Sequence, residues 1–346
     1  MSSPIVLLFF MLPLTLQIGF LTANLLDRKS LSTANEIHVA VSQNGSARFR
    51  SVQEAVEAAP DLGNARYVVH VVAGIYFENV EVRKRNVMLI GDGKDITVIS
   101  GNRSIGGRWK STMETATFGA SAYGFIAKDI TFENTAGPEM SQAVALRVDS
   151  DESAFYRCSI KGFQDTLYAR TYRQFYRECD IYGTIDFIFG DGTAIFQNCV
   201  IETHRPLPHQ QNVITAQGRI NPQNNTGFSF INCTVRASNE ASSTPTYLGR
   251  PWKQYSRSVF MKSYLQGIIQ SEGWLAWDGS FALNTLFYAE YKNYGPGSTL
   301  GGRVKWPGYH IIRNVTQANE FTVLNFIDGG SWLPSTGIEF YTGLPN

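Results

Sequence analysis

The chain has 346 residues, of which 43% are hydrophobic, and its 30 Lys and Arg residues nearly balance its 29 Asp and Glu residues. A formal net charge of +1 without long basic runs excludes the clustered positive surface that nucleic acid requires, so no nucleic-acid partner is expected. This length can bury a large core. Frequent Gly, Phe and Tyr residues favour short strands and turns over long helices.

An uncharged apolar run occupies residues 4–22 at the N-terminus. We interpret residues 1–23 as a secretory signal peptide and residues 24–35 as a short linker. A signal anchor is the alternative, because the run is almost long enough to span a bilayer. No comparable run follows, and no linker divides the rest, so residues 36–346 are expected to form one domain.

Modification signals agree with an extracellular location. An even number of cysteines fits disulfides in an oxidising compartment, whereas no Cys or His spacing indicates a metal site. Asn-x-Ser/Thr sequons, together with the leader, predict a secreted glycoprotein. The five sequon positions are Asn44, Asn102, Asn224, Asn232 and Asn314.

A short amphipathic helix is predicted in "SVQEAVEAAP", residues 51–60. Ser51 and Glu54 have the spacing of a capping box, and Pro60 ends the helical pattern. Such a helix could cover the open end of a repeat structure, whose exposed strand edges otherwise invite aggregation.

A repeat becomes visible when the chain is aligned on its cysteines. Each Cys has an aromatic residue three positions before it and a β-branched residue two positions after it. Two outer segments extend the frame, with Lys128 and Ser263 at the Cys position. Intervals of roughly 20 to 35 residues are typical of solenoids. The units are too short for βαβ pairs, so they predict coils of a parallel β-helix, with a β-sandwich as the alternative. The cysteines are Cys158, Cys179, Cys199 and Cys233.

This register brings two acidic residues together. Asp165 follows Cys158 by the same number of residues as Asp186 follows Cys179, so the two should stack in neighbouring coils. Parallel strands lie about 4.8 Å apart. Two carboxyl groups at that spacing among apolar residues should share one proton, which gives one acid and one base or nucleophile. The alternative is a pair of turn residues that cap backbone groups.

Other chemistries lack a signature in this sequence. There is no G-x-S-x-G elbow, paired-His metal motif, Walker loop or Rossmann loop. A Ser-His-Asp hydrolase stays open, because such triads are spatial. The residues alone therefore favour a paired-carboxylate hydrolase that needs no cofactor.

Five sequence blocks carry a family resemblance. They are "GIYFE" (74–78), "QAVALR" (142–147), "GFQDTLY" (162–168), "DFIFG" (186–190) and "YLGRPW" (247–252). In this order they resemble the plant pectin methylesterases, or pectinesterases, from about residue 36 to the C-terminus. The resemblance implies an all-β, single-stranded, right-handed parallel β-helix. It also implies the short form of the family, without an inhibitor-like region.

The resemblance implies a role for each of five side chains. Asp186 matches the nucleophile that attacks the methyl ester, and Asp165 matches the proton donor for the departing methanol. Gln164 and Gln142 match the amides that stabilise the transition state. Arg250 matches the residue that orients the nucleophile.

The resemblance also implies how substrate is bound. The expected substrate is methyl-esterified homogalacturonan (pectin) of the cell wall, and a proteinaceous pectinesterase inhibitor is a further expected partner. The protein should act as an extracellular monomer. Met113 stands where the family has Phe in a Thr-Phe-x-x-Ala-Thr segment. Substrate contacts are expected from Gln142, Arg250, Thr112, Trp252, Tyr168, Phe189 and Trp274.

Family practice further implies a Cys199–Cys233 disulfide, and the stacked register leaves Cys158–Cys179 open as a second. Two alternative functions remain. One is a catalytically silent pectin-binding protein of the same fold. The other is a β-helix lyase or glycosidase, although neither type's motif is visible.

Overall fold

The computed structural model describes residues 36–61 and 65–345. The predicted signal peptide (1–23) and linker (24–35) lie outside the described residues. The helices and strands of these described residues belong to the unit Ile37–Asn346. Within the described ranges, none of the helices has the length and apolar character needed to cross a membrane.

Among the described residues, parallel strands form three sheets of 11, 8 and 7 strands. The 11-stranded sheet contains β1 (Val39–Val41), β2 (Tyr67–Val71), β5 (Val87–Gly91), β8 (Ile126–Lys128), β11 (Ser153–Tyr156), β14 (Arg173–Arg177), β17 (Thr193–Gln197), β20 (Gly227–Ile231), β23 (Arg257–Met261), β25 (Phe287–Tyr291) and β26 (Tyr309–Ile311). The 8-stranded sheet contains β3 (Gly74–Phe77), β6 (Thr97–Gly101), β9 (Thr131–Asn134), β12 (Ser159–Lys161), β15 (Asp180–Gly183), β18 (Val200–Thr203), β21 (Thr234–Ala237) and β24 (Tyr264–Leu265). The 7-stranded sheet contains β4 (Val80–Val82), β7 (Phe118–Ala120), β10 (Leu146–Val148), β13 (Leu167–Ala169), β16 (Ile188–Gly190), β19 (Asn212–Gln217) and β22 (Thr246–Gly249).

The chain visits the three sheets in turn. Strands β11, β12 and β13 make one coil, and β14, β15 and β16 pair with them in parallel to make the next. Side chains that point inward from all three sheets share one continuous apolar core. This architecture is the predicted all-β parallel β-helix.

An aromatic ladder runs through this core along the 11-stranded sheet. Consecutive rings pair in strand register and stack with centroids 4.9, 4.7, 4.5 and 4.3 Å apart. The predicted frame is therefore confirmed across five coils. The ladder residues are Phe155, Tyr176, Phe196, Phe230 and Phe260.

The frame was wrong at its N-terminal extension. Phe155 pairs with Ala127 rather than with Phe125. Ile130, not Lys128, therefore occupies the position of the cysteines. Lys128 ends strand β8 and donates instead to the carbonyl oxygen of Thr336 at 3.0 Å. The repeat length changes at this coil, which alignment on the cysteines alone could not reveal.

We expect Phe196→Ala to be strongly destabilising. Phe196 is fully buried at the middle of the ladder, so truncation removes its transfer free energy and leaves a cavity. The free energy of unfolding should fall by about 3–5 kcal/mol in chemical denaturation. Phe77→Ala is the control, because Phe77 is 79% exposed and its loss should change stability by less than about 0.5 kcal/mol. An equal fall in the free energy of unfolding in the two variants would show that the ladder contributes no more to stability than an exposed ring does.

The structure contradicts the predicted disulfides. Cys199–Cys233 and Cys158–Cys179 are not bonded, and all four cysteines are free and buried. Each thiol donates to a carbonyl oxygen of the preceding coil, at 3.3 to 3.5 Å. The cysteines thus follow one another in neighbouring coils, with each thiol directed to a backbone carbonyl oxygen and none bonded to a second sulfur atom. Burial raises the pKa of Cys158, Cys179 and Cys199 well above the ordinary value, which keeps these thiols unreactive.

The predicted N-terminal helix is confirmed as α1 (Val52–Glu57). The Ser51 hydroxyl accepts from the Glu54 backbone N–H at 3.4 Å, as the capping box requires. The returning carboxylate comes from Glu78 of "GIYFE", which accepts from the backbone N–H groups of Val52 and Gln53 at 2.9 and 3.0 Å. The helix end is thereby tied to the first coils.

Short C-terminal helices cover the outer face of the 11-stranded sheet, a feature that the sequence analysis missed. They are α2 (Val315–Asn319), α3 (Val323–Phe326) and α4 (Gly329–Trp332). Val323, Phe326 and Trp332 pack with outward residues of the sheet such as Phe175 and Ile195. Short 3-10 helices complete the described elements, at Thr112–Thr115, Pro138–Met140, Asn239–Ala241, Pro296–Ser298 and Leu333–Thr336.

Candidate active site

A cavity of about 430 Å³ lies on the outside of the 7-stranded sheet. It brings together all but one of the side chains that the sequence predicted for catalysis and substrate binding. Its lining residues are Ser111, Thr112, Met113, Gln142, Gln164, Asp165, Tyr168, Asp186, Phe189, Ala216, Arg250, Trp252 and Trp277.

The two aspartates occupy equivalent places in neighbouring coils. Each lies in the turn that leads into a strand of the 7-stranded sheet, and the pairing of Leu167 with Ile188 puts them in matching register. Both have left-handed backbones, with φ of 64° at Asp165 and 52° at Asp186. This conformation is uncommon for residues other than glycine, and Asp tolerates it better than most. Both residues are nearly buried, with exposures of 8% and 6%.

Arg250 holds the Asp186 carboxylate from the end of β22. Its Nε and Nη2 atoms donate to Oδ1 and Oδ2 of Asp186 at 2.8 and 2.7 Å. The Arg250 backbone N–H donates to the Thr215 carbonyl oxygen at 2.9 Å, which fixes where the side chain starts. A planar two-point ion pair of this kind fixes the orientation of the carboxylate as well as its charge.

The surroundings separate the proton affinities of the two acids. Burial and the charge of Asp186 raise the pKa of Asp165 well above its ordinary value, although Arg250 opposes this. Burial raises the pKa of Asp186 as well, and the hydrogen bonds and charge of Arg250 limit that rise. The arginine contacts Asp186 directly, so it favours the ionised form of Asp186 and leaves the higher proton affinity to Asp165.

Two amide side chains face the same space without partners. Gln142 and Gln164 lie in adjacent coils. The backbone links these coils through a hydrogen bond from the Ala143 N–H to the backbone carbonyl oxygen of Gln164 at 3.1 Å. Neither side-chain amide has a hydrogen-bond partner among the described residues. Both are therefore free to donate to a ligand oxygen beside the two acids.

Aromatic rings form one wall of the cavity. Tyr168 stacks on Phe189 with ring centroids 4.2 Å apart, and Trp252 meets Phe189 edge to face at 6.1 Å. A Cβ on Gly218 would come within 2.7 Å of the Trp252 ring. Gly190, which ends "DFIFG", has φ of 124°, and a Cβ there would lie 2.1 Å from the Ala169 carbonyl oxygen. Thr112 lies in the 3-10 segment on the cavity's rim.

The prediction that Trp274 lines the sugar site is wrong. Trp274 is only 1% exposed, and its ring stacks on Tyr288 inside the core at 4.2 Å. Trp277, three positions later in the segment "GWLAWDG" (273–279), lines the cavity instead and is 37% exposed. The Arg250 guanidinium lies 4.5 Å from its ring centroid. The block lies in an irregular loop, so no strand periodicity could show which tryptophan faces outward.

The predicted glycosylation sites are all accessible. Each sequon asparagine is exposed, and none lines the cavity: Asn44, Asn102, Asn224, Asn232 and Asn314.

Comparisons with known proteins agree with this geometry. The family model described as Pectinesterase matches residues 38–330. The peach (Prunus persica) protein "Pectinesterase/pectinesterase inhibitor PPE8B" is 56% identical over 322 residues, which cover 91% of this chain and 62% of the relative. "Pectinesterase 2" of Citrus sinensis is 52% identical over 322 residues, covering 92% of this chain and 63% of the relative. The chain thus spans slightly less than two thirds of these curated relatives.

A solved structure extends the likeness to three dimensions. Pectin methylesterase from carrot has 47% sequence identity and a TM-score of 0.88, and the match covers 89% of this chain and 98% of that one. With the family match over residues 38–330, these similarities establish that the chain belongs to the pectinesterase family.

Proposed function

We propose that this protein hydrolyses methyl esters of galacturonate in homogalacturonan, giving methanol and de-esterified pectin. One observation carries the proposal: an arginine-bound carboxylate and a second, protonated acid are stacked beside two unpartnered amides. This set supplies a nucleophile, an acid and an oxyanion site, which together are sufficient for acyl transfer.

The first half of the reaction forms an acyl-enzyme. An ionised oxygen of Asp186 attacks the ester carbonyl carbon, and the carbonyl oxygen becomes an oxyanion. The side-chain amides of Gln142 and Gln164 donate to that oxyanion. Asp165 then gives its proton to the methoxy oxygen, so the C–O bond breaks, methanol leaves, and a mixed anhydride joins Asp186 to the sugar carboxyl group.

The second half regenerates the enzyme. Asp165, now a carboxylate, accepts a proton from a water molecule that attacks the galacturonate carbonyl of the anhydride. The bond to Asp186 breaks, which returns its carboxylate to Arg250 and releases the sugar as a carboxylic acid. Asp165 ends the cycle protonated, and the product acid loses its own proton to solvent to become galacturonate.

Neutral donors suit this arrangement better than cations. A positive charge at the oxyanion site would lower the pKa of Asp165, which must stay protonated until methanol leaves. The cation in the cavity instead contacts Asp186, where lowering the pKa keeps the nucleophile ionised. The rings of Tyr168, Phe189 and Trp252 fit the apolar face of a sugar, and Trp277 extends the wall beyond Arg250.

Methanol release is the direct test. Purified protein is incubated with highly methylated pectin while methanol, polymer length and unsaturated products are measured together. We expect methanol to appear with polymer length unchanged and no unsaturated product. Shorter chains would indicate a glycosidase, and calcium-dependent unsaturated products would indicate a lyase. Pectin binding without any of these products would indicate the silent binding protein.

We also propose that the protein is secreted to the cell wall as a glycoprotein. The apolar run at residues 4–22 and the five exposed sequons support this location. A proteinaceous pectinesterase inhibitor is a further proposed partner, since the peach relative carries both activities in its name.

A further inference from the structure

The face of the Arg250 guanidinium rests on an aromatic ring rather than on a second acid. The guanidinium carbon lies 4.5 Å from the centroid of the Trp277 ring, while Nε and Nη2 donate to the two carboxylate oxygens of Asp186. Among the described residues, Asp186 is the only ion-pair partner of Arg250. The contact with Trp277 therefore leaves the charge of Arg250 undivided for the carboxylate.

The loop that carries Trp277 is fastened to the strand that precedes Arg250. The backbone N–H of Leu275 donates to the carbonyl oxygen of Gly249 at 3.0 Å. Trp274 anchors the same loop in the core, where its side chain is only 1% exposed. The place of the Trp277 ring is thus set by backbone hydrogen bonds and core packing.

The ring and the carboxylate restrain the guanidinium in different ways. An aromatic ring attracts a cation through its quadrupole, and Trp does so most strongly. A flat guanidinium on a flat ring has a fixed plane, and two parallel hydrogen bonds to a carboxylate require such a plane. Arg250 is only half-buried, so without the ring its long side chain could adopt other orientations.

Three titratable groups act on Arg250 besides this ring. Burial lowers the pKa of Arg250, whereas the hydrogen bonds and charge of Asp186 and the charges of Asp165 and Tyr288 raise it, and the net shift is upward. Tyr288 is fully buried, and burial raises its own pKa, so its hydroxyl stays neutral. The Trp277 ring does not titrate, and it can restrain Arg250 at every pH without adding a charge.

We propose that Trp277 is a positioning residue for the nucleophile, because it holds the Arg250 guanidinium in the plane that contacts both oxygens of Asp186. This inference rests on the proposed function, in which Asp186 attacks as a carboxylate. It goes beyond a wall for the sugar, since the ring acts on Arg250 rather than on the substrate. Loss of the ring lets the guanidinium rotate away, and the ionised form of Asp186 then loses part of its stabilisation.

The pH dependence of kcat/KM tests this role, because it reports ionisations of the free enzyme rather than contacts with bound sugar. Trp277→Leu removes the ring face and keeps an apolar side chain. We expect its acidic limb to move upward by roughly 0.5–1 pH unit, less than in Arg250→Gln, and its kcat to fall about tenfold. Trp277→Phe keeps a ring face and should recover most of both losses.

Trp252→Leu is the matched control. Trp252 lines the same cavity, but its ring meets Phe189 and lies under the ammonium group of Lys253 instead of Arg250. Its loss should raise KM through the missing sugar surface and leave the acidic limb in place. A double variant of Trp277→Leu and Arg250→Gln should shift the limb no further than Arg250→Gln alone, because Trp277 acts through the arginine.

Three kinetic results would overturn the proposal. The first is an unchanged acidic limb in a Trp277→Leu variant whose melting temperature matches wild type, which would leave Trp277 as a sugar contact. The second is an equal limb shift in Trp252→Leu, and the third is an added shift in the double variant.

Crystal structures of wild type and Trp277→Leu supply a readout that needs no activity. We expect Arg250 to donate to both oxygens of Asp186 in wild type and to lose at least one of these hydrogen bonds in the variant. Two intact hydrogen bonds in the variant would overturn the proposal. Failure of the proposed function would look different, because wild type would then release no methanol even if Arg250 moves in the variant.

Discussion

Asp186→Asn should lower kcat for methanol release by at least about 10⁴-fold, because the attacking group is removed. Asn is nearly isosteric with Asp, and its oxygen can still accept one hydrogen bond from Arg250. The amide cannot act as the nucleophile, however, and the oxyanion donors Gln142 and Gln164 alone give only residual rate enhancement. Single-turnover methanol release from methylated pectin measures the loss.

Asp191→Asn is the matched control for this variant. Asp191 lies directly after β16, five residues beyond Asp186, and burial raises the pKa of its carboxyl group as well. Its carboxylate accepts hydrogen bonds from the side chains of Thr226 and Gln217, and Asp191 does not line the cavity. Its substitution should leave kcat within a few-fold of wild type. An Asp186→Asn enzyme that kept one tenth of wild-type kcat would rule out Asp186 as the nucleophile.

Arg250→Gln should move the acidic limb of the pH–rate profile to higher pH. Asp186 must be ionised to attack, so kcat/KM rises with pH through its pKa. Arg250 lowers that pKa through two hydrogen bonds and its charge. Removing the charge therefore raises the pKa, and the limb should shift upward by about 1–3 pH units, the usual effect of a lost opposite charge at this distance.

Arg250→Lys separates charge from geometry in this experiment. Lys keeps the positive charge but loses the two-point contact, so its limb should shift less than that of Arg250→Gln. Both variants leave the buried Asp186 carboxylate less well paired, so the melting temperature is measured alongside kcat/KM. A limb that stays in place in Arg250→Gln would show that Arg250 does not set the protonation of Asp186.

The repeat made much of this fold predictable. A frame that recurs on the cysteines requires coils of matching register, and matching register is enough to stack Asp165 on Asp186. The aromatic ladder from Phe155 to Phe260 follows from the same frame. At Lys128 the frame failed, because one coil there has a different length and only backbone pairing reveals it.

Features without periodicity were not predictable in the same way. Trp277 lines the cavity in place of Trp274 because both lie in an irregular loop, where no strand periodicity shows which side chain faces outward. The C-terminal helices did leave a signal. Phe175 and Tyr176 are adjacent in a strand and both buried, so both faces of that strand must be covered.

The matching register of Asp165 and Asp186 has a consequence for how this site can vary. The Asp165 backbone N–H donates to the Ile185 backbone carbonyl oxygen at 3.1 Å. The Leu167 backbone N–H donates to the Phe187 backbone carbonyl oxygen at 2.8 Å. The distance between the acid and the nucleophile is therefore set by backbone hydrogen bonds between neighbouring coils rather than by how the surrounding loops pack. Loops around the cavity can lengthen, shorten or change sequence, and so remodel which polymers bind, while the reacting pair keeps its separation. Only a change in the number of coils between the two turns would alter it.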